Sequence, residues 1–73
     1  MEYYQRIRDI REDHDLKQDA VAKIIGTERS YYGKYERGQR PMLARQIIDL
    51  CKYYNLSADY VLGLIDEPRK LHD

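Results

Sequence analysis

A chain of 73 residues has room for one small domain, and its single cysteine, Cys51, excludes an intramolecular disulfide. Its 13 basic and 13 acidic residues give a net charge of zero, whereas proteins that bind nucleic acids are usually basic. Because no apolar run approaches the roughly 18 residues of a membrane span and the N-terminal segment is charged, we expect no membrane segment and a cytoplasmic location.

Apolar residues recur with helical spacing throughout the chain, and no segment alternates as a strand would, so we expect an all-α fold. The predicted helices cover residues 3–13, 18–25, 29–37, 43–54 and 58–64. Gly26 is expected to end the second helix because it readily adopts a positive φ, and Asn55 to end the fourth. Ser57 is a favourable N-cap for the fifth helix. We expect a domain over residues 1–66 and a flexible tail over residues 67–73.

The apolar stripes of these helices predict a core of aliphatic residues and tyrosine. Its expected members are Tyr3, Ile7, Ile10, Val21, Ala22, Ile25, Tyr32, Tyr35, Ala44, Ile47, Leu50, Cys51 and Tyr54. The chain has eight tyrosines and no other aromatic residue apart from histidine. Because a buried tyrosine hydroxyl needs a hydrogen-bond partner, we expect several tyrosines to be half-buried.

Residues 16–38 read as two short helices joined at Gly26, which is the layout of a helix-turn-helix. Between Arg29 and Arg45, five basic residues stand against one acidic residue, Glu36. A neutral protein can therefore present one positive face, and this segment is expected to carry it.

The chain resembles the phage-repressor (Cro/lambda-repressor, XRE-type) helix-turn-helix family over residues 7–64. The resemblance is carried by IRDIRED (7–13), LKQDAVAKIIG (16–26), KYERGQRP (34–41) and NLSADYVLGL (55–64). It implies a compact five-helix, lambda-repressor-like domain that acts as a small stand-alone transcriptional regulator, a repressor. It also implies a homodimer on a palindromic operator in double-stranded DNA, with residues 29–37 in the major groove.

The resemblance also implies roles for individual residues. Base contacts are expected from Arg29, Ser30 and Lys34. Phosphate contacts are expected from Lys17, Gln18, Tyr31, Arg37, Arg40 and Arg45. Arg29 and Lys34 carry the side chains that bond O6 and N7 of guanine in the major groove. A structural ion pair is expected between Arg11 and Glu36, joining the first helix to the third.

Some residues depart from the family pattern. Lys17 stands where a capping Ser or Thr is usual, so either the second helix is capped in another way or Lys17 serves a phosphate. Glu28 would repel phosphates unless it accepts a hydrogen bond from cytosine N4. Gly33 lies inside the third helix, where glycine costs about 1 kcal/mol, and would permit close approach of DNA or of the second helix.

The end of the domain is more apolar than one short helix can bury. Its exposed members are expected to form the homodimer contact. They are Tyr60, Val61, Leu62, Leu64 and Ile65.

An enzyme is not expected, because the two histidines, His14 and His72, have no suitable partner and there is no phosphate-binding glycine loop. No spacing suggests a metal site, so we expect no catalytic residue, metal, cofactor or small-molecule ligand. A helix-turn-helix module that has little DNA affinity and binds a protein, such as a toxin or another regulator, remains an alternative. Zero net charge and Glu28 favour that alternative, whereas the cations of residues 29–45 favour DNA binding.

Overall fold

The computed structural model describes all 73 residues and contains five α-helices and no strand, which confirms the predicted all-α class. The helices are α1 (Tyr3–Asp13), α2 (Gln18–Ile24), α3 (Arg29–Glu36), α4 (Ala44–Tyr54) and α5 (Ala58–Val61). The first four lie within one residue of their predicted bounds. The fifth is shorter than the predicted 58–64, because the chain turns at Gly63, which has a φ of +80° and lies against the Met1 carbonyl.

The helix ends follow the backbone preferences of a few residues. Gly26, with a φ of +72°, ends α2, and the next amide, of Thr27, returns to the Ala22 carbonyl at 2.9 Å. Asn55 is left-handed at the end of α4. The Ser57 hydroxyl accepts a hydrogen bond from the Tyr60 amide at the start of α5, as its N-cap position predicts. Lys17 gives α2 no side-chain cap.

One hydrophobic core lies between the helices. Its buried members are Ile7, Ile10, Val21, Ala22, Ile25, Tyr32, Tyr35, Met42, Leu50, Cys51, Tyr54 and Val61. The prediction that Ala44 belongs to this core is wrong, because α4 begins at that residue and turns it towards solvent. Gln46 is buried instead, where it accepts from the Leu43 amide at 2.9 Å and donates to the Tyr35 hydroxyl at 3.3 Å.

The tyrosine hydroxyls divide into two groups. The Tyr3 hydroxyl accepts from the Met42 amide at 3.1 Å, and Tyr35 is bonded by Gln46. Tyr3, Tyr4 and Tyr60 are half-buried, as expected, whereas the hydroxyls of Tyr32 and Tyr54 are buried without a hydrogen-bond partner. Burial raises the pKa of both phenols, that of Tyr54 to about 12, so both stay neutral in the core.

Val61 is completely buried, so the prediction that it contacts a second copy is wrong. The single turn of α5 inserts this side chain into the core and leaves its apolar neighbours nearer the surface. Among them Leu64 is the most exposed, at 73%. Leu62 and Ile65 are half-buried.

Arg6 departs from the predicted core of aliphatic residues and tyrosine, because this charged residue is only 4% exposed. Its Nη1 donates to the carbonyls of Tyr60 at 2.6 Å and Ile65 at 3.0 Å. The guanidinium also lies 4.0 Å from the centre of the Tyr60 ring. Arg6 therefore ties α1 to the carbonyls at and beyond the short α5.

The C-terminal residues, which the sequence predicts to be a flexible tail, lie against the turn between α4 and α5 in this structure. The Ser57 amide donates to the Arg69 carbonyl at 2.6 Å, and the Leu71 amide to the Asn55 carbonyl at 3.3 Å. The Asn55 side chain bonds both backbone groups of His72. None of the five helices is long and apolar enough to cross a membrane.

Candidate nucleic-acid interface

The two helices of the predicted helix-turn-helix, α2 and α3, pack against each other through their apolar sides. Tyr32 and Tyr35 anchor α3 in the core, with their rings edge to face and 6.4 Å apart. Because these residues are three apart, they occupy one side of the helix and leave the opposite side to solvent. That free side is the candidate interface.

The predicted base-contact residues line one open groove on this free side. Arg29 and Ser30 are exposed and Lys34 is half-buried. The same groove is lined by Gln18, Glu28, Gly33 and Arg37, and none of its lining residues is hydrophobic. It is therefore a polar surface with three cations and one carboxylate, which suits hydrogen bonding to base edges and phosphates better than burial of an apolar ligand.

The Tyr31 ring lies between Lys34, a predicted base-contact residue, and Arg40, a predicted phosphate contact in the following loop. Tyr31 is 41% exposed. The centre of the ring lies 5.2 Å from Lys34 Nζ and 5.2 Å from the Arg40 guanidinium carbon. Both distances are within the range of a cation–π contact, so the ring holds two positive groups near each other on one face.

Of the other residues predicted to contact phosphates, two lie near the α3 surface and one lies apart from it. Lys17 and Gln18 line a second groove, which also includes Arg11, Asp19 and Arg29. Arg45 is exposed in the first turn of α4 and lines neither groove. The structure therefore brings Lys17 and Gln18 close to the α3 surface and leaves Arg45 apart from them.

An ion pair beneath this surface joins α1 to α3. Arg11 contacts the Glu36 carboxylate through Nε at 2.6 Å and Nη2 at 3.0 Å, and its Nη1 donates to the Leu16 carbonyl at 2.9 Å. Gln18 Nε2 donates to Glu36 Oε1 at 3.0 Å. The side-chain amide of Gln18 is expected from the sequence to contact a phosphate, but one of its N–H groups already donates to Glu36.

The charges of this pair stabilise each other. Burial would raise the pKa of Glu36, but the opposing effect of its polar neighbours, with the hydrogen bond from Arg11 contributing most, holds that pKa below its ordinary value. The hydrogen bond to Glu36 raises the pKa of Arg11. Glu36 is therefore a structural carboxylate that stays ionised near neutral pH.

Comparisons with known proteins agree with this geometry. A family model described as a helix-turn-helix domain matches residues 4–67. The uncharacterized HTH-type transcriptional regulator YobD of Bacillus subtilis is 42% identical over 67 residues, which cover 90% of this chain and 59% of that protein. The chain thus spans about three fifths of the length of this relative.

Two solved structures share the fold. The P22 c2 repressor protein, in complex with a synthetic operator, is 25% identical with a TM-score of 0.77, over 86% of this chain and 96% of that one. The restriction-modification controller protein C.AhdI from Aeromonas hydrophila is 32% identical with a TM-score of 0.73, over 81% of this chain and 89% of that one.

Proposed function

Because the chain belongs to the XRE-type helix-turn-helix family that its motifs predict, we propose that it is a transcriptional regulator that binds double-stranded operator DNA sequence-specifically. The observation that carries the proposal is the groove on the free side of α3, which contains all three candidate base-reading residues. Helix-turn-helix proteins lay this side of the second helix in the major groove. A related fold in the P22 c2 repressor is complexed with a synthetic operator, which supports the same use here.

Within this proposal the α3 cations divide the work. Arg29 and Lys34 bond the O6 and N7 atoms of guanine, each good contact contributing roughly 1–3 kcal/mol of discrimination. Ser30 bonds a neighbouring base. Phosphates are contacted by groups around this helix, which fix its register in the groove without reading sequence. These are Lys17, Gln18, Tyr31, Arg40 and Arg45.

A homodimer on a palindromic operator completes the proposal. Leu64 is largely exposed, and Leu62, Ile65 and Tyr60 are half-buried beside it, so this end of the domain offers an apolar contact to a second copy. Two recognition helices would then enter successive major grooves about 34 Å apart. Such a regulator acts as a repressor by occupying its operator, and its DNA target places it in the cytoplasm.

Selection of bound sites from a random duplex pool at moderate salt tests the proposal. We expect a palindromic consensus with half-sites about 10 base pairs apart. Arg29→Ala should weaken binding and relax the consensus at one base pair of each half-site. Lys52→Ala, which removes an exposed cation from α4, should leave the consensus unchanged. Failure to enrich any sequence, with only weak salt-sensitive binding, would instead favour the protein-interaction module to which the neutral charge and Glu28 point.

A further inference from the structure

Gly33 occupies the middle of the candidate DNA-binding side of α3. At about 100° per residue, positions 33 and 37 fall within the arc between positions 29 and 34. Gly33 is nevertheless buried, although it has no side chain of its own to cover the backbone. Glycine inside a helix is unfavourable because it loses more backbone freedom than any other residue, so its presence here needs a local reason.

The Arg37 side chain covers Gly33. Arg37 Nη1 lies 3.1 Å from the point that a Cβ at position 33 would occupy, and Gln18 Oε1 lies 3.5 Å from the same point. Helical side chains lean towards the N-terminus of their helix, so a residue four positions later reaches back over this one. Arg37 Nε also donates to Gln39 Oε1 at 3.2 Å, which restrains the side chain in this position.

The structure places the Arg37 side chain elsewhere than its position in the sequence suggests. Beside Gly38 and the following loop, Arg37 is expected at the edge of the interface, where side chains meet phosphates. Because its guanidinium is drawn back over Gly33, it instead lines the groove together with Arg29, Ser30 and Lys34. Arg40, in contrast, lies outside this groove, beside Tyr31.

We propose that Arg37, the residue that caps the C-terminal end of α3, is a further base-reading residue and that Gly33 is the slot that admits its guanidinium to the groove. The proposal rests on the proposed DNA-binding function and adds one determinant to its specificity. The planar guanidinium presents two parallel donors, which match O6 and N7 of a guanine in the major groove. A side chain at position 33 would occupy the same space and move the guanidinium away from the centre of the groove.

The role of Arg37 is tested by comparing Arg37→Ala with Arg40→Ala on the selected operator and on every single-base variant of it. Arg37→Ala should lose about ten-fold or more in preference at one base pair of each half-site. Arg40→Ala should weaken all duplexes equally and lower the salt slope by about one unit. An Arg37→Ala protein that weakens every duplex equally, as Arg40→Ala does, would overturn the base-reading role and make Arg37 a phosphate contact.

The slot is tested with Gly33→Ala and Gly33→Gln, each made in the native chain and in the Arg37→Ala background. Alanine requires the guanidinium to move by only a few tenths of an ångström and should change affinity less than three-fold. Glutamine should cost as much base preference as Arg37→Ala, and should cost little more once Arg37 is absent. Circular dichroism and thermal midpoints should show both variants folded, because both residues favour helix over glycine.

If Gly33→Gln lowered base preference equally in both backgrounds, the role of Gly33 as a slot for Arg37 would be overturned. The result would indicate that DNA itself needs the space. A Gly33→Gln protein with native preference would overturn it as well. The proposed function has a separate readout, because it fails if the native chain selects no sequence, and this inference then fails with it. If the native chain selects an operator and Arg37→Ala reads it unchanged, only this inference fails.

Discussion

The guanidinium of Arg11 and the carboxylate of Glu36 meet through two hydrogen bonds of 2.6 and 3.0 Å and join α1 to α3. The two side chains are 13% and 3% exposed. Because Gln18 bonds the same carboxylate, three helices meet at one buried charge. The orientation of α3, and with it the groove that faces DNA, therefore depends on an ion pair that lies beneath the surface.

Removal of Arg11 should destabilise the domain strongly. Arg11→Met leaves the Glu36 carboxylate buried without its main partner, which costs on the order of 3–5 kcal/mol of unfolding free energy. Urea denaturation followed by circular dichroism measures this loss. The matched control is Arg8→Met, which breaks the exposed Arg8–Glu12 pair and should change stability by less than about 0.5 kcal/mol. Similar, small effects of the two substitutions would show that the buried pair does not hold α1 to α3.

Acid should weaken the domain through Glu36. Its pKa is lowered in the folded protein, so folding gains stability above the ordinary glutamate pKa of about 4.3 and loses it as pH falls through the lowered folded value. The urea midpoint should therefore decline below about pH 4.5, within the range set by the ordinary and folded values. Glu36→Gln should be less stable near neutral pH and show a flatter acid decline. An unchanged acid slope in that variant would assign the decline to other carboxylates.

The sequence predicted the helices and most of the core because apolar spacing and helix-ending residues are local signals. Gly26 and Asn55 end their helices through their own backbone preferences. Tyr32 and Tyr35 were identified as buried by their spacing of three. These features depend on neighbours in the chain, and the periodicity of one helix is enough to find them.

The missed features depend on contacts between distant segments. Arg6 is buried because the carbonyls of Tyr60 and Ile65 face it, and no local pattern reveals carbonyls more than fifty positions away. Arg37 reaches the groove because Gly33 lacks a side chain. For that residue the sequence did hold a signal, namely a glycine four positions before an arginine within the recognition helix.

Arg6 should contribute to stability through the backbone it bonds. Arg6→Met keeps much of the aliphatic volume but leaves the Tyr60 and Ile65 carbonyls without this donor, each lost partner costing on the order of 1–3 kcal/mol. Thermal unfolding should show a lower midpoint than in the native chain. Arg8→Met serves again as the control on the exposed face of α1. Hydrogen exchange should show faster opening around α5, and unchanged exchange there would contradict the proposed tie between α1 and α5.

Substitution of Arg29 or of Lys52 removes one positive charge, in the first case from the candidate interface and in the second from the exposed side of α4. Arg29→Ala should weaken binding to the selected operator by roughly 1–3 kcal/mol and relax preference at one base pair. Lys52→Ala, on the exposed side of α4, should change affinity by only a few tenths of a kcal/mol, because Lys52 lines neither groove and salt screens exposed charges that make no direct contact. Fluorescence anisotropy on the operator and its single-base variants measures both. If the two variants weakened all duplexes alike, Arg29 would not be a base-reading residue.

Two substitutions of Tyr31 distinguish the contribution of its hydroxyl to DNA binding from that of its ring. Tyr31→Phe keeps the ring between Lys34 and Arg40 but loses the hydroxyl, so binding should weaken by about 1 kcal/mol on all sequences. Tyr31→Leu also loses the cation–π contacts, worth about 0.5–1 kcal/mol each at exposed sites, and frees Lys34 to move. It should therefore relax preference at the base pair read by Lys34, which Tyr31→Phe should not. Anisotropy titrations across single-base variants distinguish the two, and equal relaxation by both substitutions would show that the ring does not position Lys34.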